Sequence, residues 1–190
     1  MIYRCEWAKN PLAIQYHDTE WGVPTHDERE LFELLVLEGA QAGLSWDTVL
    51  KKRDSYRKAF NNFDVKKVAA YNERKQQELL NNPGIIHNKL KVASAVRNAQ
   101  AFIAVQQTFG SFDAYIWSFT SNTPLNTKRE TIADIPASTV LSDKISKDLK
   151  KRGFNFVGTT IIYAYLQSIG IVNDHPVSCF RHKEIVDLYS

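Results

Sequence analysis

The amino-acid sequence predicts an all-α protein. Three observations carry that reading: apolar residues recur at helical spacing along most of the chain, capping residues precede those runs with Gly or Pro behind them, and no segment alternates with the period of two that a half-buried strand needs. No repeat of fixed period and no low-complexity tract interrupts the pattern. At 190 residues the chain can bury one good core, or two small helical lobes sharing a cleft within a single domain, 1–190.

Each element has its own local reason. Asn10-Pro11 supplies an N-cap and a proline at the first helical position, opening a short helix through Ile14, Tyr16 and His17. Asp27, with Glu30 three residues on, opens a second, whose apolar positions Leu31, Phe32, Leu34, Leu35 and Leu37 lead to Glu38. Ser45 restarts helix through Val49, Leu50, Tyr56 and Phe60. Asp64 caps 65–71, and a polar helix over 73–80 follows. The tight turn at Asn82-Pro83-Gly84 precedes a long amphipathic helix from Asn88 to Gly110, then a short one over 112–119. From Thr120 to Ala137 no period is visible, and the stretch reads as loop. Ser142-Asp143 reads as the cap of a helix closed by Gly153. Phe154 to Gly158 forms a hairpin, Thr159 to Ile169 is the next helix, and a last helical pattern covers 183–188.

Composition narrows the function classes. The net charge of +3 is a mild excess that permits contact with nucleic acid without demonstrating it. No apolar run of about 20 residues suits a membrane span and no charged-then-apolar leader opens the chain, so a cytoplasmic protein with no membrane partner is expected, as a monomer.

Three constellations carry chemistry. In Leu37-Glu38-Gly39-Ala40-Gln41-Ala42-Gly43-Leu44-Ser45-Trp46 a carboxylate precedes a bend of small residues, flanked by a wedge and a flat ring. That suits a pocket for a planar group, or else a helix end with Gly43 as C-cap and Glu38 on a solvated face. Cys5 and His17, eleven residues between them, and His175 and Cys179, three between them, form two half-sites. Together they make a Cys2His2 set suited to structural zinc; the alternative is two free thiols, with His26, His87 and His182 as further candidates. The hairpin before Thr159 can offer successive backbone N–H groups and a helix N-terminus to a phosphate. Lys150, Lys151 and Arg152, together with Lys89 and Lys91, would attract a polyanion, although basic residues at helix C-termini are also simply favourable.

These strings together resemble a known family. Asp18-Thr19-Glu20-Trp21-Gly22-Val23-Pro24, Leu37-Glu38 with Gln41 to Trp46, Lys150 to Phe154 with Phe156 to Thr160, and Val172-Asn173-Asp174-His175 closely resemble the 3-methyladenine DNA glycosylase I family, over about Arg4 to Cys179. That family belongs to the helix-hairpin-helix glycosylases, all-α with two lobes around a cleft that takes an extruded base.

The resemblance implies a single structural zinc on Cys5, His17, His175 and Cys179, tying the N-terminal segment to the C-terminal one. It implies a base pocket of Tyr16, Glu38 and Trp46 walled by Trp7 and Trp21, with Glu38 also the candidate catalytic residue. It further implies DNA contacts at Gln41, Gly43 and Leu44, which enter the base stack, and at Lys151, Gly158, Thr159 and Thr160. The implied reaction is hydrolysis of the N-glycosidic bond of 3-methyladenine, with 3-methylguanine as a second candidate, in alkylated double-stranded DNA, leaving an abasic site in base excision repair. Where many relatives in the superfamily place an aspartate, this chain has Asn173, with Asp174 beside it; where bifunctional members carry a lysine, it has Thr159 and Thr160. Hydrolysis without lyase activity is therefore expected. The competing reading is a zinc-stabilised module that recognises damaged or bent DNA and cuts no bond.

Overall fold

The computed structural model describes residues 2–190 and is mostly helical, with ten α-helices among the described residues. In order they are α1 (Pro11–Thr19), α2 (Glu28–Gln41), α3 (Trp46–Ala59), α4 (Val65–Ala69), α5 (Glu73–Leu80), α6 (Lys89–Phe109), α7 (Phe112–Ser118), α8 (Val140–Lys151), α9 (Thr159–Ser168) and α10 (Phe180–Val186). Among the described residues no helix is long and apolar enough to cross a membrane.

Helix α2 is the axis of the molecule. Asp27 caps it by accepting the Glu30 N–H, and every residue from Leu31 to Ala40 is buried. A helix apolar all round must be surrounded, and α3, α6, α7 and α9 pack about this one. Gly39 lets α2 approach the α8–α9 hairpin, since a Cβ there would stand 3.3 Å from the Phe156 Cβ. A second, smaller apolar cluster gathers Cys5, Tyr16, Trp21, Leu50 and Cys179, with Trp7 and Trp46 packed against it.

Most caps fall where local chemistry places them: Asn10, Asp27, Ser45, Asp64 and Asn88 each accept a first-turn N–H. The start of α8 differs. Its N-cap is Thr139, which accepts the Ser142 N–H while the Ser142 hydroxyl accepts the Thr139 N–H, so Ser142 sits at the third position of a reciprocal box. Helix α10 begins at Phe180, three residues earlier than its apolar pattern suggests.

The stretch read as loop over 120–137 contains two short ordered pieces. Strand β1 (Leu125–Asn126) pairs in parallel with β2 (Val172–Asn173), and a single 3₁₀ turn covers Ile132–Asp134. Two-residue strands have no period to read, so long-range pairing alone reveals them.

Candidate active site

A cavity of about 540 Å³ opens between α1, α2, α3 and α9. Ala13 and Tyr16 come from α1, Glu38 and Gln41 from α2, Trp46, Asp47 and Leu50 from α3, and Ala164 and Gln167 from α9. Trp7, Trp21, Ile132 and Ile135 complete the wall. The volume lies within the usual range for small-molecule pockets, and the lining is mainly apolar and aromatic with a few convergent polar groups.

Several of those polar groups are poorly partnered. Glu38 is 4 % exposed, so the solvated-face alternative is ruled out. Burial drives its carboxyl up to about 8, opposed only by the Ser168 hydroxyl, and no cation approaches it. The Tyr16 hydroxyl and the Trp46 indole Nε1 are also buried without a hydrogen-bond partner. Burial, and then the neighbouring Glu38, raise the Tyr16 phenol well above its ordinary value, so it remains a donor. Two unsatisfied polar atoms beside a buried carboxyl that no cation meets are costly unless a ligand completes them.

Glu33, one turn earlier on the same helix, is a contrast. It is equally buried, yet Arg53 Nε donates to it at 2.6 Å, Arg57 Nε at 3.0 Å and Arg29 at 2.5 Å. Burial pushes that carboxyl up, but the three guanidiniums outweigh it and hold it below the usual range.

The aromatic wall is continuous with a buried donor cluster. Tyr16 and Trp46 have ring centroids 5.4 Å apart, and Trp7 lies edge-on to Trp21 at 5.2 Å. Behind them Cys5, His17, His175 and Cys179, all buried, bring their donor atoms within 4.8 Å of one another. The Cys179 Sγ stands 3.4 Å from His17 Nε2 and 3.5 Å from His175 Nδ1, and the Cys5 Sγ stands 3.5 Å from the same Nδ1. Neighbouring ligands of a tetrahedral N/S metal site are separated by about 3.5 Å, so the set fits an ion. The outer ring nitrogens are engaged: His17 Nδ1–H donates to Asp18 at 2.7 Å and His175 Nε2–H to the Trp21 carbonyl at 2.9 Å. That pattern turns both remaining lone pairs inward and ties the cluster to a pocket wall.

The turn after α2 is exposed at Gly43, Leu44 and Ser45, with Gly43 in the left-handed region at φ +78°. Leu44, 42 % exposed, projects at its tip. At the hairpin, Asn98 consumes the Asn155 N–H at 2.8 Å, so that amide faces inward and not out to a ligand as expected. The first turn of α9 has no side-chain cap at Gly158, which leaves the N-terminus of that helix open. Thr159 turns its hydroxyl to Ser142 at 2.8 Å, whereas Thr160 and Lys151 are exposed. Arg152 is held by Asp148 at 2.7 Å and covers the Phe109 ring, and Lys91 turns inward. Neither is therefore a free surface cation.

Gln167 had no signal in the sequence, because a glutamine on a buried helix face belongs to no motif. It lines the cavity, and its Nε2 donates to Asp174 at 2.7 Å. Asp174, 1 % exposed, also accepts from Thr127, Arg129 and the Tyr163 hydroxyl, and it stays outside the cavity. It is thus no candidate for direct contact with a bound base. Asn173 is likewise turned away, accepting the His175 N–H and donating to the His182 carbonyl.

Comparison with known proteins follows this geometry. A family model described as methyladenine glycosylase matches residues 7–182. The DNA-3-methyladenine glycosylase 1 of Escherichia coli K12 is 50 % identical over 177 residues, covering 93 % of this chain and 95 % of that protein. A crystal structure of 3-methyladenine DNA glycosylase I superposes with a TM-score of 0.91 at 50 % identity, over 94 % of this chain and 98 % of that one. A substituted form of 3-methyladenine DNA glycosylase I solved in complex with 3-methyladenine superposes with a TM-score of 0.91 at 34 % identity, over 93 % and 96 % of the two chains.

Proposed function

The chain belongs to the methyladenine glycosylase family, and from that premise we propose that it hydrolyses the N-glycosidic bond of 3-methyladenine in alkylated duplex DNA, leaving an abasic site. The observation that carries this reading is the trio of Glu38, Tyr16 and Trp46 in one base-sized cavity: a buried carboxyl with no cation, beside a phenol and an indole N–H left without partners.

The charge of the lesion explains the design. N3-methylation gives the nucleobase a positive charge, which weakens the glycosidic bond and makes the base a good leaving group. Extrusion from the stack costs a few kcal/mol, least for a damaged base. In the cavity the cation meets the faces of Tyr16 and Trp46, worth about 0.5–2 kcal/mol. Glu38, held protonated at neutral pH by burial, gives up its proton to solvent when the cation arrives, and its oxygens accept from the exocyclic amino edge. A normal, uncharged purine brings no charge to offset that ionisation. Water then adds its oxygen to the anomeric carbon and releases a proton to solvent, while the glycosidic bond breaks and its electron pair leaves with the base, neutralising it.

The remaining parts serve delivery. Leu44 and Gly43, with Gln41, occupy the gap left by the extruded nucleotide, and the uncapped N-terminus of α9 at Gly158 to Thr160 receives a backbone phosphate, with Lys151 nearby. Cys5, His17, His175 and Cys179 would hold one structural zinc ion, which would tie the N-terminal segment to the C-terminal one behind the aromatic wall. Among the described residues no lysine lines the cavity, which supports hydrolysis without Schiff-base strand cleavage.

The deciding experiment measures release of free 3-methyladenine from methylated duplex DNA by the wild-type protein and by Glu38→Gln. Release by the wild type with loss in the variant is expected. Binding without release would leave the non-catalytic, damage-recognising reading.

A further inference from the structure

Lys91 breaks a local rule. It is the third residue of α6, in a first turn that carries Lys89 and no acid, where the positive end of the helix dipole disfavours cations. Its backbone N–H is already taken by the Asn88 cap at 3.0 Å. The side chain instead crosses to α2, where Nζ donates to the Ala40 carbonyl at 2.8 Å and to the Ala42 carbonyl at 2.7 Å. Those are carbonyls from the last turn and C-cap of α2, the negative end of that helix, which has no basic residue of its own in its last turn. Burial beneath this turn holds the ammonium below its ordinary value.

The two carbonyls bracket the start of the turn that carries Gly43 and Leu44. Beyond Ala42 that turn keeps only the Leu44 N–H to Gln41 carbonyl bond at 2.7 Å, and a Cβ placed on Gly43 would meet nothing within 4 Å. Gly43 therefore has no packing of its own to define its path, and the Lys91 clamp holds the turn at its root. We infer that Lys91 is a positioning residue that fixes the Gly43–Leu44 turn in the shape needed to enter the base stack, so that extrusion depends on an ammonium bonded two residues before the inserted side chain. This deepens the excision reading and rests on it for the identity of the lesion.

The test compares wild type, Lys91→Met, Lys91→Arg and Lys58→Met. Lys58 is exposed in the last turn of α3, apart from the groups assigned to binding, and controls for loss of a charge. Three measurements separate the roles: kcat and KM for release of 3-methyladenine from methylated duplex, binding of free 3-methyladenine read by tryptophan fluorescence, and unstacking of 2-aminopurine placed opposite a tetrahydrofuran abasic analogue. Lys91→Met should lower kcat by about tenfold to a hundredfold, the scale of an ångström-sized misplacement. It should also suppress the 2-aminopurine signal and leave free-base binding unchanged, which certifies an intact fold and pocket. Lys91→Arg should restore part of both, and Lys58→Met should change neither.

A loss confined to KM, with the salt dependence of binding reduced by about one contact, would make Lys91 an ordinary phosphate contact and overturn the inference. Unaltered kcat and 2-aminopurine signal in Lys91→Met would overturn it too. If the wild type released no base, the excision reading would fail while the 2-aminopurine arm still decided the role of Lys91.

Discussion

Glu33 and Glu38 stand on one buried helix and titrate in opposite directions, because three arginines meet the first and none meets the second. A protein that can neutralise one buried carboxylate on α2 and leaves the other unpaired has reserved the second for a ligand that brings its own charge.

The unpaired acid should cost stability in a defined pH window. Its folded value of about 8 lies above the ordinary 4.5, so the folded state keeps a proton that the unfolded chain releases. Its contribution is intact below about pH 4.5 and lost as pH rises through 8, on the order of 5 kcal/mol at most. Thermal melts from pH 5 to 9 should therefore show Glu38→Gln gaining on the wild type as pH increases, by several degrees at the alkaline end. A gap between the two proteins that stays constant across that range would contradict the assignment.

Glu33→Gln should act with the other sign. Arg53 is 8 % exposed, and with Arg29 and Arg57 it would be left facing a neutral amide, so the variant should lose about 3–5 kcal/mol. Urea unfolding at neutral pH reads this directly. Since the Glu33 carboxyl is held below its ordinary range, the wild type's advantage should persist above that range and fade as pH falls through its lowered value.

One zinc per chain is expected in the purified protein, and Cys179→Ser should remove it. Because Trp21 and Tyr16 lean on the cluster, the same variant should weaken binding of 3-methyladenine as well as lower the melting temperature. Metal content should fall on acidification, when the ligands take up protons. A fully folded, base-binding protein free of metal would refute the site.

Gln167→Leu removes a fixed amide from the cavity and should slow excision by about tenfold, one hydrogen bond's worth. Asp174→Asn should do similar damage only through Gln167, so the double variant should be no worse in activity than the poorer single variant. Single-turnover rates decide it: additive losses would mean that Asp174 reaches the reaction by another route.

Legibility followed the range of the interactions. The caps at Asn10, Asp27, Ser45, Asp64 and Asn88 depend on three or four neighbouring residues, and each is where the local code puts it. Ser142 was displaced by Thr139 because both are good caps and only the backbone chooses between them. The β1–β2 pairing and the reach of Arg53 and Arg57 to Glu33 join residues far apart, and Gln167 on Asp174 belongs to no motif, so local pattern does not reveal them.

By itself the order of amino acids determined the helical class, most helix boundaries, the two Cys/His half-sites and the acid next to a Gly-containing bend, since each is written in adjacent residues or in recurring strings. Tertiary structure alone decided that Glu38 is buried without a cation, that Tyr16 and Trp46 keep unpartnered polar atoms beside it, and that Lys91 serves the end of a different helix. The physical reason is that burial and charge pairing belong to the space between elements: a carboxylate's proton affinity is set by what α3 and α9 bring to it, which the residues flanking it along the chain do not specify.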